Sequence, residues 1–155
     1  MKISDLKVRK ATIEDSSEIL RWRNNTETVQ FSLSKKYVTP QEHEIWFRNK
    51  LESFTDFMYV GTIDYLLVGV VNFLNTDDKL IFKVSINVAP EIRSKGFGFK
   101  IMKLAEEELK NKIGSCTLSA IVFKHNLRSL SFFRKSSYQV WRETEKIIEF
   151  RKNLV

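Results

Sequence analysis

One cysteine, Cys116, is all that 155 residues contain, so no internal disulfide can hold the chain together. It opens the apolar run Cys116 to Phe123 and reads as an inert core thiol rather than a nucleophile. No apolar stretch approaches the roughly 20 residues that cross a bilayer. The opening Met1-Lys2-Ile3-Ser4-Asp5 has no feature of a signal peptide, so a cytoplasmic protein without a membrane partner is expected. Positive charge is plentiful, a formal net +7, yet no run of Lys and Arg exceeds two or three. Nor are aromatics interleaved with bases in an RNA-binding signature. Nucleic acid is therefore not the expected partner, whereas a nucleotide-bearing small molecule would use the same charge. Repeats, low-complexity tracts and linkers are missing too, and no metal is expected. These absences imply one domain over residues 1–155, with 43% hydrophobic content and twelve Phe to fill its core.

Periodicity supplies the elements. Leu6 to Thr12 reads as a first strand, with Thr12-Ile13-Glu14-Asp15 capping a helix that carries Ile19, Leu20 and Trp22 and fades at Asn24-Asn25. A second helix is signalled by Thr39-Pro40-Gln41-Glu42: a Thr cap, Pro in the first helical position and a reciprocal Glu. Three strands are expected next, Phe57 to Ile63, Leu66 to Leu74 and Leu80 to Val88, joined by short turns into an antiparallel meander. In the last of them Leu80, Phe82, Val84 and Ile86 share one face. Beyond it come a helix carrying Ile101, Met102, Ala105 and Leu109, the strand Cys116 to Phe123, and a helix from Asn126 to about Lys135. A final pair of strands is expected around Tyr138 to Arg142 and Glu145 to Phe150.

The chemistry gathers between the fourth strand and the helix after it, at Asn87-Val88-Ala89-Pro90-Glu91-Ile92-Arg93-Ser94-Lys95-Gly96-Phe97-Gly98. Helix-initial amides lack internal partners and sit at the positive end of the helix dipole, so a glycine loop placed there is an anion seat. In this reading Gly96 and Gly98 clear space for a diphosphate, and Arg93 and Lys95 add charge beside it. A lone G-x-G is weak, since on the order of half of chains this long contain one by chance. The dinucleotide fingerprint fails because position 101 is Ile, and the Gly-Lys-Ser/Thr of a P-loop is absent. What remains, Val-x-Pro, then R-x-x-G-x-G and an amphipathic helix, resembles the coenzyme A pyrophosphate loop of the GCN5-related N-acetyltransferases.

That resemblance implies an α/β (α+β) fold with a mixed, mostly antiparallel sheet that splays after the fourth strand and is flanked by helices. It implies an N-acetyltransferase with acetyl-CoA as cosubstrate, held by Ile86, Asn87, Val88, Arg93, Ser94, Lys95, Gly96, Phe97, Gly98 and Asn126. Asn126 opens a second motif, Asn126 to Tyr138, similar to the family's N-x-x-A...F-Y-x-K-x-G-F, and as a helix cap it would serve both purposes. Where many relatives have a tyrosine to protonate the departing thiolate this chain has Phe133, and where they have Gly it has Ser137. Phe cannot donate a proton. Either the thiolate leaves unassisted or through water, or Ser129 or Tyr138 substitutes, or the register differs by one.

Substrate clues lie in the first half. Leu20-Arg21-Trp22-Arg23-Asn24-Asn25 followed by Gln41-Glu42-His43-Glu44-Ile45-Trp46-Phe47 resembles the branch of the family that acetylates the 4-amino group of a UDP-linked deoxyamino sugar in the pseudaminic acid pathway. The resemblance makes Arg23, Asn24 and His43 acceptor-binding residues, with His43 as base or phosphate contact. Exposed helix face and half-buried packing are the ordinary alternatives for Arg23 and His43. His125 reads as a loop-edge residue, and Trp46 and Trp141 as packing. Expected partners are acetyl-CoA and a small-molecule amine, most readily a nucleotide sugar, with a homodimer left open. A protein N-terminus as acceptor and a non-catalytic coenzyme A module are the alternatives.

Overall fold

The computed structural model describes residues 1–155. Strands β1 (Lys7–Lys10), β2 (Phe57–Ile63), β3 (Leu66–Asn75), β4 (Ile81–Val88), β5 (Cys116–Phe123), β6 (Gln139–Glu143) and β7 (Ile147–Leu154) form one sheet in the order β1-β2-β3-β4-β5-β7-β6. Every neighbour pair is antiparallel except β4–β5. Helices α1 (Ser16–Arg23), α2 (Thr26–Phe31), α3 (Pro40–Glu52), α4 (Phe97–Ile113) and α5 (Leu127–Lys135) flank it.

Alternation along the strands makes two cores. On one face Tyr59, Val71, Phe73, Phe82 and Val84 pack with Ile101, Met102, Ala105 and Leu109 of α4 and with Leu130 and Phe133 of α5. On the other, Met58, Val60 and Val70 pack with Ile19 and Trp22 of α1 and Phe47 of α3. Gly61 and Gly69 are direct cross-strand partners, and together they leave a notch into which Ile101 descends. A Cβ on Gly69 would lie 2.7 Å from Ile101 Cδ1 and 3.1 Å from the Asn87 carbonyl oxygen. The notch therefore sets how closely the front of α4 approaches the end of β4.

Most expected elements are present. Thr39 and Glu42 make the reciprocal cap of α3, with Thr39 Oγ1 accepting from Glu42 N–H and Glu42 Oε2 accepting from Thr39 N–H. Thr12 caps a short 3₁₀ turn, Ile13–Asp15, ahead of α1, and Arg9 clamps Asp15 through two 2.8 Å bonds. Three expectations need correction. Leu80 stands outside β4 and is exposed, because the Thr76–Asp78 turn closes on it through the Asp78 carboxylate. The segment after Asn25 contains α2, which no cap or apolar period announced. And α4 begins at Phe97, so Gly98 lies inside the helix rather than in the loop before it.

The notch yields a prediction. Gly69→Ala should destabilise the protein by about 1–3 kcal/mol, a Tm drop of about 2–10 °C for a chain of this size. In Gly69→Ala/Ile101→Val the missing Cδ1 relieves the overlap, so calorimetric ΔΔG for the pair should fall below the sum of the single changes.

Candidate active site

β4 and β5 pair through only three positions, Ile81 with Thr117, Phe82 with Leu118 and Lys83 with Ser119, and then part. Past that point the β5-facing edge of β4 has no strand beside it. The Ala89 N–H donates to Val68 O at 2.9 Å, which sets the phase of the antiparallel ladder. Asn87 thus turns its backbone groups to β3, and Ile86 and Val88 turn theirs into the gap. Around this gap lies a cleft of about 940 Å³, lined by Ile86, Asn87 and Val88 on the sheet, Ser94 and Gly96 at the loop, Gly98 in the first turn of α4, Asn126, Ser129, Phe132 and Phe133 on the α5 side, and Arg23, His43 and Trp46 at the far end.

The geometry of the loop suits an anion, with Arg93 and Gly98 engaged otherwise than expected. Gly96 is the N-cap of α4 at φ +85°, a left-handed conformation that favours glycine, and Ser94 at φ 61° also turns left-handed. The first amides of this 17-residue helix have no intrahelical partner, no side chain caps them, and no acidic residue stands in the first turn. Lys95 is exposed beside them. Arg93, expected to contact phosphate, is instead saturated: its Nε donates to Val88 O, one terminal nitrogen to Asn25 Oδ1 and Glu27 Oε2, the other to Thr28 Oγ1 and Asn87 Oδ1. Gly98 serves packing, since a Cβ there would meet Phe132 Cε2 at 3.2 Å and Val88 Cγ2 at 3.4 Å. Phe97 places its side chain in the core.

On α5 Asn126 is the N-cap, its Oδ1 accepting from Ser129 N–H at 3.3 Å. Phe133 is buried against Tyr138 and Phe150 while forming part of the cleft wall. Tyr138, a candidate acid in the sequence, lies away from the cleft. Its hydroxyl donates to Glu106 Oε1 at 2.8 Å inside the core, and Lys152 Nζ holds the other Glu106 oxygen at 2.7 Å. Burial, reinforced by the Glu106 carboxylate, pushes the Tyr138 pKa far up, so the phenol stays protonated and faces the wrong way. Of the two candidate hydroxyls only Ser129 reaches the cleft.

At the far end Arg23 and His43 line the cleft and Asn24 does not. Asn24 clamps the following loop, its amide donating to Val38 O at 2.8 Å and accepting from Val38 N–H at 2.7 Å. Arg23 donates to Ser34 Oγ at 3.2 Å, while its other terminal nitrogen is buried without a partner. Burial lowers the pKa of its guanidinium, the mark of a cation that has lost water without gaining a carboxylate. His43 is buried against Trp46 and Phe47, with Nε2 3.1 Å from Ser16 O. A carbonyl only accepts, so Nε2 carries the proton and Nδ1 is the basic nitrogen. Desolvation lowers the His43 pKa against the raising effect of that bond, leaving a neutral ring at pH 7.

The profile of the Acetyltransferase (GNAT) family matches residues 17–138. The chain belongs to this family. Acetyltransferase PseH of Campylobacter jejuni subsp. jejuni serotype O:23/36 (strain 81-176) is 28% identical to it over 144 residues, which is 89% of this chain and 87% of the relative. In fold it is similar to spermidine N-acetyltransferase from Vibrio cholerae in complex with CoA and spermine, at a TM-score of 0.85 and 15% identity over 97% and 96% of the two chains. It is also similar to yncA from Salmonella typhimurium with its cofactor acetyl-CoA, at 0.80 and 15% over 97% and 94%.

As a GNAT enzyme it is an N-acetyltransferase using acetyl-CoA, and the site's own groups fit that cosubstrate. Uncapped amides and Lys95 suit a diphosphate, and the backbone of Ile86 with the N–H of Val88 suits an amide-bearing arm that completes the missing strand pairing. The sequence reading missed Glu27, Thr28, Asn72 and Ser85, all on the cleft. Asn72 and Ser85 are cross-strand partners joined by a 3.3 Å hydrogen bond, and only strand register puts them there.

Lys95→Glu tests the anion seat without touching the core: coenzyme A affinity by calorimetry should fall about three- to tenfold at low salt, and less at high salt, with Tm unchanged. For His43, NMR titration should give a midpoint below 6.5. Because the folded pKa lies beneath the unfolded one, the unfolded chain binds more protons between the two values. Its stabilising contribution is therefore complete above about pH 6.5 and declines as the pH falls toward the folded pKa. His43→Gln should remove that slope from denaturant midpoints measured against pH.

Proposed function

We propose that the acceptor amine is the 4-amino group of a nucleotide-linked deoxyamino sugar. The observation that carries this is the charge at the acceptor end. Arg23 is a partly buried cation with no carboxylate partner, and of the carboxylates on the cleft Glu27 is paired with Arg93 and Arg128, while Glu42 caps the Thr39 amide through one oxygen and keeps its charge. An unpaired guanidinium at this end of the cleft attracts an anion and repels the second ammonium group of a polyamine. The Arg23-Asn24 and His43 pattern and the similarity to Acetyltransferase PseH support the same reading.

Acetyl-CoA, when bound, supplies an activated acetyl group as a thioester. The α4 amides and Lys95 hold its diphosphate, and the Ile86 and Val88 amides orient the arm and the carbonyl. Arg23 holds the diphosphate of the acceptor as a charge-assisted pair. His43, neutral and with Nδ1 unprotonated, takes the proton that the amine releases. Ser129 is the hydroxyl left to the departing sulfur, which needs little help because a thiol pKa near 8.5 makes it a tolerable leaving group.

Acetyl-CoA consumption measured side by side on UDP-4-amino sugars, dTDP-4-amino sugars and N-terminal peptides tests the proposal. Amino sugars should be acetylated. Arg23→Ala should raise the acceptor KM about tenfold to a hundredfold, the loss of a charged contact worth about 1.5–3 kcal/mol, with the acetyl-CoA KM nearly unchanged. His43→Ala should act chiefly on kcat. Turnover of peptides alone would transfer the assignment to a protein N-terminus, and coenzyme A binding with no turnover of any amine would make the chain a binding module.

A further inference from the structure

Arg93 belongs to the cofactor loop, yet none of its donors is left for the cofactor. Its five N–H groups meet five acceptors: two at the end of β4, Val88 O and Asn87 Oδ1, and three at the start of α2, Asn25 Oδ1, Glu27 Oε2 and Thr28 Oγ1. The other oxygen of Glu27 forms an ion pair with Arg128 on α5 at 2.8 Å. One carboxylate thus bridges the cofactor loop and α5, elements on opposite sides of the gap between β4 and β5.

What Glu27 holds is intrinsically weak. α2 has six residues, no side-chain cap, and Val29 as its one buried residue. A helix this short is not stable by itself, so its position depends on its ties. The segment that contains it, residues 24–38, walls the acceptor end of the cleft with Glu27, Thr28, Phe31 and Leu33. Beyond α2 the segment touches the β5 side again through Phe31 against His125, with ring centroids 5.4 Å apart, and returns to Asn24 through Val38.

We propose that Glu27 is a positioning residue that links the two substrate sites: through Arg93 and Arg128 it transmits the seating of coenzyme A to residues 24–38, so the acceptor wall becomes fully ordered only with the cofactor in place. The inference rests on loop 93–98 as the coenzyme A site. Arg93 is a planar fork with every donor engaged, so a loop that settles around a diphosphate carries α2 with it. Because Glu27 also reaches Arg128, closure of α5 on the cofactor acts on the same helix.

Hydrogen exchange of residues 26–38 with and without coenzyme A, in wild type, Glu27→Gln and Arg128→Ala, tests the link, with coenzyme A binding followed by calorimetry and Tm on the same samples. In the wild type coenzyme A should slow exchange in this segment about fivefold or more, the usual size of coupling between sites. In both variants the response should shrink while coenzyme A still binds and Tm stays close to wild type, a combination that a purely structural role would not produce. An equal response in the variants overturns the role of Glu27. Binding with no response in the wild type overturns the coupling itself, and failure of coenzyme A to bind overturns the cofactor site together with the link.

Discussion

The structure depends on a ladder that stops. β4 and β5 are the one parallel pair in the sheet, and their pairing ends after three positions, which leaves the backbone of Ile86 and Val88 facing a gap. Arg93 takes up the Val88 carbonyl, and the remaining backbone groups on this edge are left open to the cleft, where a ligand can pair with them. The two helices that follow these strands stand on either side of the gap. α4 turns its uncapped start toward it because Gly96 bends the chain sharply and because Ile101 is drawn into the Gly61–Gly69 notch. α5 starts at the other side under the cap of Asn126.

Charge is distributed around that gap according to which cations are neutralised. Arg93 and Arg128 are tied to Glu27 and act as structure, while Arg23 has a buried nitrogen without a partner and Lys95 stands in solvent. In sequence these four look alike. Their roles differ because of carboxylates and carbonyls supplied from far along the chain: the Arg93–Glu27 contact joins residues 66 positions apart. A buried cation with its partner is part of the fold, and one without keeps a donor unspent.

Local signals explain what was legible in the sequence. The α3 boundary could be read because Thr39, Pro40 and Glu42 form a cap within one turn. β2 and β5 could be read to the residue because β-branched and aromatic runs were bounded by turn residues. The motif around Gly96 and Asn126 was legible because loop geometry and helix capping are local. α2 was not, since it has no side-chain cap and its polar residues are tied to Arg93, far along the chain. Asn24 and Tyr138 were given to the site by motif position alone, and side-chain direction took both away: Asn24 closes on Val38, and Tyr138 points into the core at Glu106.

By itself, the sequence determined the order of elements, the glycine turn ahead of α4, the cap of α5, the family and the absence of a phenol at position 133, because each is written in residue type and short spacing. Only the tertiary structure decided where the sheet parts, that Ser129 rather than Tyr138 reaches the cleft, that His43 is desolvated and neutral, and that Arg23 rather than Arg93 keeps a nitrogen without a partner. Those properties depend on burial and on partners distant in the chain. A side chain's charge and hydrogen-bonding capacity are set by its type, but whether they are already used is set by what the fold places beside it.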